Sequence, residues 1–222
     1  MWKTIALAAG VAGLAAGIAL TAIQHVRVQP LIRTAEVIAE AGLAPEREKA
    51  PEPPRSDNER LVETGVANIV LGTGFALIIA AGMTLRGKGG WRAGLAWGLA
   101  GYFVVFVAPA VGLPPELPGM ESAPITQRTV WWMLTAVLSG AGLALVVFAP
   151  RPAWRVAGLV LAALPHLFGP PHGATHELTA THDLADEFIA VTAWSNAVFW
   201  LLIGIIVGAL YRPEKGVPRA SV

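Results

Sequence analysis

AWRVAGLVLAALPHLF, residues 153–168, is the stretch on which the fold turns. It is apolar but short, and it carries Arg155 and Pro165. A helix needs about 20 residues to cross roughly 30 Å of hydrocarbon, so this stretch alone reads equally well as a re-entrant or interfacial segment. Its neighbours leave no such choice. Residues 4–23, 66–85, 93–113, 129–149 and 188–211 are apolar runs that each approach or exceed the crossing length. Parity then decides the short one. With six crossings, Arg212, Lys215 and Arg219 lie on the same side as Lys3, Arg86, Lys88, Arg92, Arg151 and Arg155; with five they lie opposite. Lys and Arg in short loops stay cytoplasmic, so the expectation is an all-α integral membrane protein, a six-span helical bundle whose fifth span is short. Arg155 then snorkels to the inner interface, while Pro165 and Gly169-Pro170-Pro171 end the helix at the outer one.

Composition agrees. The chain has 222 residues, 55% hydrophobic and 14% charged, with mean hydropathy +0.58, where a soluble domain carries roughly 25% charged residues. The first span follows Lys3 like a signal peptide, but its apolar run exceeds a usual signal core and no A-x-A site follows it. No cysteine is present, which removes disulfides, thiolate metal sites and thiol nucleophiles together. Chemistry is left to imidazole, carboxylate and backbone.

The six-span reading exposes an asymmetry. Every carboxylate except Glu214, and all five histidines, fall on the outer side. Asp and Glu contribute little to the orientation rule, so the bias has its own cause, and it points to a face that collects cations.

Between the first two spans, Leu31, Ile32, Ala35, Ile38 and Ala39 share one helical face and Arg33, Glu36 and Glu40 the opposite one, the pattern of an outer interfacial helix. Residues 42–55 lose that period and hold four prolines, as a mobile loop does. Ser56 with Glu59 forms a capping box that opens the second span. The organisation is therefore a first span (1–25), an amphipathic helix and loop (26–59) and five further spans (60–222), one membrane domain in all. Gly13-x3-Gly17, Gly94-x3-Gly98 and Gly204-x3-Gly208 let helix backbones approach closely; they argue for a tight bundle and not for a function.

The most specific motif is GLPPELPGM, residues 112–120. Pro114 and Pro115 force it out of helix directly after the third span and hold Glu116 on stiff backbone beside the outer surface. Together with Arg128-Thr-Val-Trp-Trp132, Pro165-His-Leu-Phe-Gly-Pro-Pro171, Gln29-Pro30-Leu31-Ile32 and Ala35-Glu36, it closely resembles the CbtA family of membrane proteins, in order from Gln29 to Trp200. The chain departs from the family's usual pattern at Asn58, where glycine is common, and at Thr129, where glutamine is. The resemblance implies the multi-span subunit of a bacterial cobalt transporter in the inner membrane, with Co2+ as substrate and a small single-span companion of CbtB type that bears histidines.

Residue chemistry runs alongside. His25, Glu63, Glu116 and His166 lie at similar depth near the outer ends of four spans, so they are candidate metal ligands at one entrance. Imidazole with carboxylate suits Co, Ni and Zn alike, and the lack of thiolate keeps binding reversible. His172, His176 and His182 lie near Glu177, Asp183, Asp186 and Glu187 with no Lys or Arg between 170 and 187, as a capture site or as a merely solvated acidic loop. A helix opened by Pro171 would put His172 and His176 one turn apart.

Enzyme motifs are missing: His176-Glu177 lacks the second histidine of a metalloprotease, and there is no phosphate-binding loop or nucleophile elbow. No basic, aromatic-interleaved patch suggests nucleic acid. No permanently bound cofactor is expected on the transporter reading. Two other readings stand beside it: a redox subunit in which His25 and His166 ligate a haem, and an accessory subunit whose outer loops and Trp131-Trp132 dock a larger membrane complex.

Overall fold

Ser56 decides where the second apolar run becomes helix. In the computed structural model its Oγ accepts from the Glu59 amide (3.3 Å) while Glu59 accepts from the Ser56 amide (3.1 Å), the reciprocal box expected from the sequence. The helix it opens ends at Gly87, whose φ of 60° only glycine adopts cheaply. The structure describes residues 2–43, 56–120, 122–172 and 182–211. They form α1 (Trp2–Ile23), a π-helical turn (Gln24–Val28), α2 (Gln29–Leu43), α3 (Asp57–Arg86), α4 (Trp91–Tyr102), a second π-helical turn (Phe103–Val107), α5 (Ala108–Gly112), α6 (Ile125–Phe148), α7 (Pro152–Phe168) and α8 (His182–Leu210).

Five helical stretches are long and apolar enough to cross a membrane: Trp2–Ala41, Asp57–Arg86, Trp91–Gly112, Ile125–Phe148 and His182–Leu210. α7 is the short apolar sixth, with 17 residues. At 1.5 Å per residue it is about 26 Å long, a few ångströms below the hydrocarbon thickness, a mismatch a bilayer accommodates by thinning. The amphipathic segment is not a separate helix, because helical structure runs unbroken from Trp2 to Leu43. The expected faces persist on it: Leu31 and Ala35 are buried, Arg33 and Glu40 exposed. The loop expected at 42–55 lies outside the described residues from 44 onward.

The described chain groups into two units. The first comprises residues 2–28, 56–102 and 194–211. Here α1 packs along α3: a Cβ on Gly13 would sit 2.6 Å from Thr73 Cα, and one on Gly17 2.7 Å from Ile69 Cα, so only glycine lets the backbones touch. The C-terminal part of α8 meets α4 in the same way. A Cβ on Gly98 would lie 2.5 Å from the Trp200 carbonyl, and one on Gly204 2.9 Å from the Gly98 amide nitrogen. The two small-residue motifs are thus each other's partner. Phe75, Phe199 and Trp200 pack beside them, with Phe75 and Trp200 centroids 4.5 Å apart.

The second unit comprises residues 29–43, 103–120, 122–172 and 182–193. Residues 149–151 join α6 to α7, and Gly158 lies so close to the Gly142 carbonyl that a Cβ would stand 2.6 Å from it. Arg155 reaches back from α7, its Nε donating to the Ala149 carbonyl at 3.0 Å. That carbonyl ends α6, so the basic side chain that was expected to snorkel also satisfies an orphaned helix terminus.

Candidate functional site

Glu116 is placed by the backbone on either side of it. Residues 114–117 are non-helical, Leu117 beside it is buried, and a turn through Gly119 (φ 83°) brings the Met120 amide back to the Leu117 carbonyl at 3.2 Å. Two prolines before the carboxylate and an anchored turn after it leave little backbone freedom.

Two groups bind that carboxylate. Arg128, in the first turns of α6, lies 2.8 Å from Oε2, and the Ser122 hydroxyl donates to the same oxygen. Side-chain exposures are 27% for Arg128 and 18% for Glu116, so the pair is half-screened by water and worth about 1 kcal/mol at most. The buried Arg128 Nε has no hydrogen-bond partner among the described residues.

One turn further along α6, Trp131 occupies the same face. Gly112 lies against its ring, since a Cβ there would stand 2.8 Å from Cζ2. On α7, half-buried His166 meets the Trp131 ring edge-on, with centroids 5.9 Å apart and planes at 77°. Arg128 and Trp131 therefore connect the two candidate ligands, Glu116 and His166, through a single helical turn. The sequence names both candidates but not the arginine between them. The available signal was one basic residue in an otherwise acidic outer segment, twelve positions after a proline-fixed glutamate.

In the other unit, exposed His25 lies in the π-helical turn after α1 and lines an apolar cleft with Leu61, Gly65 and Ile69 of α3. Glu63 is exposed on α3 near that cleft but does not line it. A polar cluster absent from the sequence reading holds these helices together. The Asn68 amide donates to Thr21 Oγ1 (3.0 Å) and to Gln24 Oε1 (2.6 Å), and Thr21 donates to the Gly17 carbonyl (2.7 Å). Asn68 is the lone amide in an apolar run, and that was its signal.

His172 is exposed on non-helical backbone, and the helix expected to carry it with His176 lies outside the described residues. His176 lies outside the described residues. His182 begins α8 and is exposed, with Asp186 one turn along on the same face. Among the described residues no three His, Asp or Glu side chains are grouped to hold one metal ion.

An all-helical chain with this many apolar crossings and a proline-fixed ionisable site is a multi-pass α-helical membrane protein. A family model described as "Probable cobalt transporter subunit (CbtA)" matches residues 2–212, and the chain belongs to that family. The match extends the resemblance carried by residues 29–200 to nearly the whole chain. No curated protein and no solved structure matches it.

Proposed function

We propose that this chain is the subunit through which Co2+ crosses a bacterial inner membrane, with both termini cytoplasmic, and that it acts as a permease and not as an enzyme. Outer carboxylates and His172, His176 and His182 gather the ion; Glu116 and His166 take it at the mouth, and His25 and Glu63 are further ligands. The observation that carries this reading is the α6 turn that contacts Glu116 through Arg128 and His166 through Trp131, in a chain of cobalt-transporter family. A rigid scaffold between an imidazole and a carboxylate suits borderline divalent ions. Pairwise ligands without thiolate bind weakly enough to let go. Driving force comes from an ion gradient or from a partner, and a histidine-bearing single-span companion of CbtB type delivers or receives the metal.

Uptake of Co2+ into cells or proteoliposomes, with and without the companion, tests the assignment. If His166 lines the path, His166→Ala lowers uptake at every cobalt concentration, because maximal rate falls. Replacing His172, His176 and His182 together hurts only at scarce cobalt and is rescued by excess, because a capture site alters local concentration. Normal uptake in both His166→Ala and Glu116→Gln would remove Co2+ passage from this site.

A further inference from the structure

A salt bridge meant only to brace a loop is expected to use its geometry fully, with every buried donor of the planar guanidinium engaged. The Glu116–Arg128 pair does not. Arg128 and Ser122 both meet Oε2, while the buried Arg128 Nε has no hydrogen-bond partner among the described residues. The pair is half-made. The arginine is held with its Nε unengaged, at a site partly open to water.

Room for the arginine to leave also exists. Arg128 lines a cleft of about 300 Å³ together with Leu113, Pro114, Pro115, Thr129 and Trp132. Its long stem can lie along that apolar wall with the guanidinium toward the Thr129 hydroxyl or the water outside.

We propose that Arg128 is a tethered counter-cation: it occupies the cation position of Glu116 until a divalent ion, approaching the partly exposed carboxylate, displaces it into the adjoining cleft. This rests on the reading of Glu116 as a ligand. Two functions follow from the charge alone. A monovalent ion offers Glu116 no more charge than Arg128 already does and cannot drive the exchange, so sodium and potassium are rejected. A divalent ion that has entered feels the displaced positive charge a few ångströms away, and the return of Arg128 hastens its release. No covalent or redox step is involved; one cation replaces another.

The experiment is Co2+ titration of the full-length protein in lipid vesicles, followed by the visible absorption of bound cobalt, for the native chain and for Arg128→Gln, Arg128→Lys and Glu116→Gln. Arg128→Gln is expected to bind Co2+ roughly tenfold more tightly, because a like charge has gone, to release it more slowly and to become sensitive to high sodium. Arg128→Lys keeps the competing charge and stays near native affinity. Unchanged or weaker binding in folded Arg128→Gln, with Glu116→Gln deficient, overturns the exchange while leaving Glu116 a ligand. Native affinity in Glu116→Gln overturns the underlying assignment instead. Arg128→Met, which keeps the apolar stem, is the second variant; if it and Arg128→Gln both lose their helical circular dichroism, Arg128 is a structural brace and the proposal fails.

Discussion

Asn68 shows what one polar side chain does inside an apolar crossing. It is 8% exposed, and both protons of its amide are used, one on Thr21 and one on Gln24. Gln24 is the first residue of the π-helical turn that ends α1, so the bond ties α3 to the point where α1 widens. Asn68→Leu removes the donor and leaves the Gln24 carbonyl oxygen without this partner, whereas Thr21 keeps its own bond to Gly17. Interhelical hydrogen bonds in bilayers are worth about 0.6 kcal/mol on average and at most about 1.7. Asn68→Leu is therefore expected to lower the thermal midpoint in detergent modestly while preserving helix content; no shift at all would show that the bond contributes nothing. Trp131 illustrates the converse, a large residue whose position depends on a small one. Its ring fits against His166 only because Gly112 offers no Cβ.

Elements meet here by backbone contact, and the clearest instance is α4 against α8. Gly94 and Gly98 on one helix and Gly204 and Gly208 on the other leave no space for side chains, and the Gly90 amide donates to the Gly208 carbonyl at 3.0 Å where the two helices end. Gly204→Leu forces the helices apart, and overpacking of this kind costs about 1–3 kcal/mol or more. Loss of the folded monodisperse species in size-exclusion chromatography is the expected result, and a native profile would refute the contact. Such contacts explain what was legible in the sequence. The crossings were, because run length against membrane thickness is a local property, and so was the Ser56–Glu59 cap, whose parts are three residues apart. The glycine motifs were visible as motifs, yet their pairing joins positions far apart in sequence and only tertiary structure supplies it. The continuous passage from α1 into α2 was also hidden, since Gln24–Val28 stays helical by widening, which no period of 3.6 reports. Glu116 and His166 were readable as candidate ligands from their proline-rich strings. Arg128 was not, because nothing local says which carboxylate a basic residue will meet.

For the whole molecule, the short helix α7 carries the topological argument. At about 26 Å it is the least secure crossing by length, yet Arg151 and Arg155 flank its start and Pro165 with Gly169 marks its end, as in a span running from a basic to an acidic side. If it crosses, the loop at Lys88 and the α6–α7 turn at Arg151 lie together in the cytoplasm, and Glu116, Ser122 and His172 lie together outside. The positive residues then obey the orientation rule, and the unexplained excess of carboxylate and imidazole becomes the entry face. A single cysteine distinguishes the alternatives cleanly in a chain that has none of its own. Lys88→Cys is expected to resist an impermeant thiol reagent in intact cells and to react after permeabilisation, while His172→Cys reacts in both. The opposite pattern would invert the molecule and turn the acidic mouth into an exit. Labelling of both cysteines in intact cells would mean that an even number of crossings separates residues 88 and 172 where α4, α6 and α7 make three, and the parity that admits α7 as a span would fall.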